Sequence, residues 1–121
     1  MKRVRREPYV RDARGSIMDV VQDGHVQHVT VIHSKRGAVR GHHYHKETTQ
    51  QVFVLSGLLR VLWRMPGEQA QDMLVEPGDL ITHPPLERHA LEAVEDSVFI
   101  VLTKGPRGGD HYESDTFRET V

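Results

Sequence analysis

The 121-residue sequence predicts an all-β protein, a single small sandwich or barrel, on three observations. Short runs rich in Val, Ile, Leu and Thr are cut at regular intervals by Gly, Pro and Asp. Apolar residues alternate with polar ones in places, and nowhere do they repeat with the helical period of 3.6. In one strand-like segment His43 and His45 are spaced H-x-H, which aims both rings at one face of a strand.

Taken in chain order, the first element is basic, with Lys2, Arg3, Arg5, Arg6, Arg11 and Arg14 against Glu7 and Asp12. It reads as a solvated arm, residues 1–14, or as an arm that pairs with another subunit; a phosphate-attracting arm is the functional alternative. Strands are expected at 17–21, 25–33, 38–45, 51–55, 58–65, 70–75, 79–83, 89–94 and 97–103. Between them, turns are expected at Asp23-Gly24, 34–37, Ser56-Gly57, Pro66-Gly67, 76–78, Pro84-Pro85 and Glu95-Asp96. Val29 and Val31 share a face of their strand, whereas the run from Val98 to Leu102 is apolar on both faces and reads as a buried strand. Residues 105–121 are polar and rich in Gly, and read as a tail wrapped over the barrel. One domain results, with its core at about 25–103.

Composition narrows the classes of function. No Cys is present, so disulfides and thiolate metal sites are excluded. A formal charge of -1 makes no global case for nucleic acid. No apolar run reaches the length of a signal peptide or membrane span, so a cytoplasmic protein acting on a small molecule is expected, without nucleic-acid or membrane partners.

Chemistry concentrates in two motifs. Gly37, His43, His45, Gln50 and Gly57 match G-x5-H-x-H-x3,4-E-x6-G with Gln in place of Glu. Gly78, Pro84 and His89 match G-x5-P-x-G-x2-H-x3-N, with Leu86 at the inner Gly and Ala93 at the Asn. In these the chain resembles a small single-domain cupin of the RmlC-like superfamily. That resemblance implies a conical β-barrel, the double-stranded β-helix jelly roll, with His43, His45, Gln50 and His89 pointing into its mouth.

The resemblance implies a divalent transition metal, Zn, Ni, Fe, Mn or Cu, held by those four residues. Neutral imidazoles suit all five ions, and an amide oxygen is a weak uncharged fourth donor. Replacing the carboxylate removes one negative charge, so an ion would be held less tightly and be more Lewis acidic. The alternative is a metal-free site in which His43 and His45 act as acid and base. His83, in register with Ile81 before Pro84, reads as a pocket wall or as support for the site, or else as a packed core residue. His42, out of register, points outside; His25, His28 and His111 read as surface residues.

A narrower likeness lies in Asp12-x-Arg14-Gly15 and in Arg40-Gly41-His42-His43-Tyr44-His45-Lys46. These, with 110–115 in the tail, resemble segments of sugar-nucleotide epimerases and 3,4-ketoisomerases of the same superfamily. No Tyr stands near Thr30 or Val31, where that pattern places a catalytic hydroxyl. The likeness implies proton transfer beside a sugar carbonyl by His43 or His45, with Arg14 or Arg40 pairing to phosphate through a bidentate fork. Two other functions stay open: a metal-dependent dioxygenase, and a ligand-binding cupin without catalysis. A homodimer is expected, with the seam along 17–21 and the basic arm, because a small barrel leaves strand edges that need cover.

Overall fold

In the computed structural model the described residues, 1–22, 24–107, 110 and 113–121, form twelve strands and no helix, so none is long and apolar enough to cross a membrane. Asp23 and His111 lie outside the described residues, and with them part of one expected turn and one expected surface histidine. The strands are β1 (Lys2–Arg5), β2 (Val10–Asp12), β3 (Gly15–Ile17), β4 (His28–Ser34), β5 (Val39–Tyr44) and β6 (Thr49–Ser56). They continue as β7 (Leu59–Arg64), β8 (Gln71–Val75), β9 (Asp79–His83), β10 (Arg88–Ala93), β11 (Ser97–Lys104) and β12 (Phe117–Arg118).

Two five-stranded sheets, in the orders β1-β9-β6-β11-β4 and β12-β5-β10-β7-β8, make a jelly roll in which every pairing is antiparallel. Among the described residues no strand pair joins one sheet to the other, so the expected barrel is open at its sheet edges. One core between the sheets holds Val52, Val54, Leu59, Val61, Ile81 and Phe99, each without accessible surface. Burying each such side chain contributes roughly 2 kcal/mol, so this apolar layer carries stability and leaves the polar end free for chemistry.

Three elements differ from the sequence expectation. The basic arm is not merely solvated: Lys2–Arg5 pairs with β9 inside its own chain. The strand expected at 17–21 ends at Ile17, because that segment instead closes a two-stranded hairpin, β2-β3, that bonds to no other strand. The polar tail supplies β12, which adds to the edge of β5. Its contacts are specific: Phe117 stacks on Tyr44 with centroids 5.4 Å apart, Lys46 lies 4.2 Å over the Phe117 ring, and Arg64 and Arg88 both bind the Glu119 carboxylate.

One irregularity places the site. The β5–β10 ladder slips between His89 and Ala90, opposite Gly41, whose φ is +102°. A Cβ on Gly41 would stand 2.7 Å from the His89 carbonyl oxygen, so only glycine permits this approach. Beyond the bulge His43 lies directly opposite His89, while in the other sheet Gln50 lies opposite His83.

Candidate functional site

Strands β5 and β10 of one sheet and β6 and β9 of the other bring their polar positions together at one end of the sandwich. His43, His45 and His89 converge there, with ring centroids 4.8 to 5.3 Å apart. Their nearest ring nitrogens all lie within 4.8 Å of one another. His43, Gln50 and His89 line a cavity of about 610 Å³ whose other walls include Thr30, Ile32, Arg40 and Phe99. His45 stands behind Gln50, with Nε2 3.1 Å from Gln50 Oε1.

Hydrogen bonds define the ring states. His45 donates Nδ1–H to the Asp115 carbonyl oxygen at 3.0 Å, and His89 donates Nδ1–H to the Glu87 carbonyl oxygen at 3.1 Å. A neutral ring has one proton, so each of these presents an unprotonated Nε2. His89 Nε2 is buried without a hydrogen-bond partner. Burial, with His45, Arg107 and Arg118 nearby, pushes His43 down to about 3. Burial also lowers His45, against the acceptor oxygens of Asp115 and Gln50 that favour its protonated form, and holds His89 well below its ordinary value. All three imidazoles are therefore neutral at pH 7.

His83 supports the site from behind. Its ring stacks on His89 at 4.2 Å with 13° between the planes, and its Nδ1 lies 2.7 Å from Glu87 Oε1. Glu87 thus orients two rings at once, His83 through its carboxylate and His89 through its main chain. Arg40 lines the cavity and is fixed by Ser34 Oγ at 2.7 Å and the His33 carbonyl at 3.0 Å. Arg14 does not join them: it sits on the β2-β3 hairpin with its side chain 88% exposed, paired to Asp12. His42 is turned away from the three rings, with φ of 54°, and its Nδ1 accepts the Val121 amide.

The sequence reading missed three participants. Glu113 and Arg118, both from the tail, line the cavity, and Asp115 holds His45. The likeness over 110–115 covers Glu113 and Asp115 without giving either a role, and nothing in a polar segment marks Arg118 as different from a solvent-facing residue. The contact that reveals them is tertiary.

His45 Nε2 and Gln50 Oε1 are both lone-pair atoms and cannot hydrogen-bond to each other. That contact is satisfied by a cation between them, by a second proton on His45, or by an amide turned to present its NH2. With His89 Nε2 these atoms suit a borderline divalent ion, and backbone carbonyls fixing the far ring nitrogens are the usual support for such ligands. His43 fits less well, because a cationic donor, Arg118 Nη1, and not a supporting acceptor faces its Nδ1, at 3.4 Å.

The polysaccharide biosynthesis C-terminal domain family matches residues 10–117. No curated protein matches the sequence. Among solved structures, a 3,4-ketoisomerase from Helicobacter canadensis is similar with a TM-score of 0.82 and 17% identity, covering 98% of this chain and 90% of that one. QdtA, a sugar 3,4-ketoisomerase from Thermoanaerobacterium thermosaccharolyticum solved with TDP, gives 0.80 and 18%, covering 98% and 87%. A dTDP-4-dehydrorhamnose 3,5-epimerase from Sulfolobus tokodaii gives 0.71 and 21%, covering 83% and 68%. At these identities the likeness is one of fold: the chain has the RmlC-like cupin architecture.

Proposed function

The chain belongs to the polysaccharide biosynthesis C-terminal domain family, and from that premise we propose that it is an isomerase or epimerase acting on a nucleotide-linked keto sugar. Enzymes of the same fold that carry out 3,4-ketoisomerisation and 3,5-epimerisation support the class, and the TDP bound to one of them supports a nucleotide-linked substrate. Arg40 on the cavity wall suits an anionic ligand.

The observation that carries the reading is the surroundings of His45. Its two ring nitrogens face two carbonyl oxygens, Asp115 O at 3.0 Å and Gln50 Oε1 at 3.1 Å. Burial keeps the ring neutral at rest, yet a second proton on Nε2 would find an acceptor already in place. We assign His45 the role of base, which requires the Gln50 side chain to swing aside and open Nε2 to the cavity. His45 takes the proton from the carbon beside the sugar carbonyl; the C–H electron pair becomes a C=C bond and the carbonyl pair moves to oxygen. Return of the proton to the neighbouring carbon, with a hydroxyl proton moving to the first oxygen, gives the keto isomer; the epimer needs a proton delivered to the same carbon from the opposite face, by a second acid. Atoms and electrons balance without a redox partner. Incubation with a TDP-linked 4-keto sugar in heavy water should place deuterium on the substrate carbon, and His45→Asn should abolish it. No exchange with any keto sugar nucleotide, together with oxygen uptake on a phenolic or diketone substrate, would replace this reading with the oxygenase one.

A second reading of the same contact places a divalent transition metal among His45, His89 and Gln50, with His43 as a further ligand. The ion would supply polarisation of the substrate carbonyl. Equal metal content in purified wild-type and His45→Ala protein would contradict it.

A homodimer belongs to the same proposal. β4 is the edge of its sheet and leaves Val29 and Val31 64% and 58% exposed, and the β2-β3 hairpin is bonded to no other strand. A two-stranded ribbon is marginal alone, so both elements call for a second copy. Light scattering that returned 13.8 kDa at micromolar concentration would reject the dimer.

A further inference from the structure

Arg118 has no step in the proton transfer above, yet it is bonded to one of the three imidazoles. In the β5–β12 ladder it stands directly opposite His43. Glu113 accepts two hydrogen bonds from its Nη2, at 3.0 and 3.1 Å, and so aims the guanidinium. Nη1 is then directed at the Gly41 carbonyl oxygen and at His43 Nδ1, each 3.4 Å away.

A guanidinium has donors and no acceptor. His43 Nδ1 must therefore accept, and the single proton of the neutral ring sits on Nε2. We propose that Arg118 is a positioning residue that holds His43 in its Nε2–H tautomer, so that His43 meets the substrate as a hydrogen-bond donor to the oxygen on which charge develops. The role rests on the proton-transfer reading; the tautomer does not.

Contrast within the cluster supports the assignment. His45 and His89 have main-chain carbonyls at Nδ1 and so carry their proton there, whereas His43 has a cationic side chain at the same atom. One cavity thus holds imidazoles in two opposite states, and what faces Nδ1 decides which. The division matches the needs of the chemistry: removing a carbon-bound proton requires an unprotonated nitrogen, and the developing enolate oxygen requires a donor. A free neutral imidazole samples both tautomers, so the guanidinium is what excludes the other one.

The test is long-range 1H–15N correlation at neutral pH on histidine-labelled protein, for the wild type, Arg118→Met and Arg118→Glu. In the wild type His43 should show an unprotonated Nδ1 and a protonated Nε2, the reverse of His45 and His89. Arg118→Met should add a population protonated on Nδ1. Arg118→Glu, which puts an acceptor in place of the donor, should move the proton to Nδ1. Unchanged His45 and His89 signals verify that each variant is folded, which the 63% exposed Arg118 side chain favours. A wild-type His43 protonated on Nδ1, or a Glu variant with an unaltered pattern, overturns the assignment. In turnover of a TDP-linked 4-keto sugar, Arg118→Glu should lower kcat by about 100-fold with a smaller change in KM. A loss confined to KM would overturn the positioning role in favour of substrate binding. Absence of wild-type turnover would remove the reaction, while the nitrogen signals still judge the Arg118–His43 pair by themselves.

Discussion

His45 and Asp115 are joined across 70 residues: the Asp115 carbonyl oxygen accepts the His45 Nδ1–H at 3.0 Å, while the Asp115 carboxylate accepts the amides of Lys46, Glu47 and Thr48 at 2.8 to 2.9 Å. One tail residue therefore fixes both the ring and the turn that follows it. Its φ of 57° lies in the left-handed region, which Asp tolerates better than most residues. The three amides also hold the carboxyl below the usual carboxylate range, against the effect of burial.

Asp115→Ala should remove three charge-assisted hydrogen bonds and, because these anchor the backbone at 115, loosen the carbonyl that holds His45 Nδ1–H. The expected cost is about 2 kcal/mol of stability, read by urea denaturation. A drop in solvent-deuterium exchange of roughly tenfold or more should accompany it. Asp115→Asn, which keeps the left-handed backbone and part of the hydrogen bonding, should fall between. Wild-type exchange in Asp115→Ala would separate the tail from the chemistry.

Leu86 stands where the cupin motif has glycine, and the structure shows why glycine suits: its φ is 74°. A left-handed residue with a Cβ costs about 1–2 kcal/mol, and glycine's extra freedom in the unfolded chain returns about 0.5–1 kcal/mol of that. The side chain is 44% exposed, so little burial is lost. Leu86→Gly should stabilise by up to about 1 kcal/mol, seen as a higher urea midpoint with an unchanged slope. A lower midpoint would show that the side chain packs more than its exposure indicates.

Four buried imidazoles make stability depend on pH. His43, His45, His83 and His89 are all lowered from 6.5, chiefly by burial. Between that value and the lower folded values the unfolded chain binds more protons, so stability rises with pH there. It is complete above about 6.5 and is lost progressively as the pH falls toward the His43 value of about 3. Thermal scans should show Tm falling from about pH 7 to about pH 4.5, a range above most carboxylate titration, with a shallower fall in His43→Gln. A flat profile would contradict the neutral cluster.

Gln50→Glu adds a negative charge beside His45 Nε2. Titration calorimetry with Zn2+ or Ni2+ should show affinity tighter by about tenfold or more, equivalent to about 1.4 kcal/mol. Unchanged affinity would remove Gln50 from the ligand set.

Turn chemistry and period-2 composition were enough to determine an all-β sandwich or barrel, and the resemblance of the two histidine motifs to cupins pointed to the jelly roll and to His43, His45, Gln50 and His89. These are local signals: glycine where φ is positive, alternation where one face is buried, and ligand spacing along single strands. Arg14 illustrates the limit, since its motif is local but its place on a self-paired hairpin is not. His83 was legible as inward-facing, while its stacking on His89 depends on β9 and β10 meeting across the turn that connects them. Only the tertiary structure decided that the polar tail returns to the edge of β5, bringing Arg118 to His43 and Asp115 to His45. The physical reason is that a hydrogen bond between residues some 70 positions apart leaves no periodicity or composition in either segment. The tautomer of each imidazole, and with it the division of acid from base, is set by such contacts.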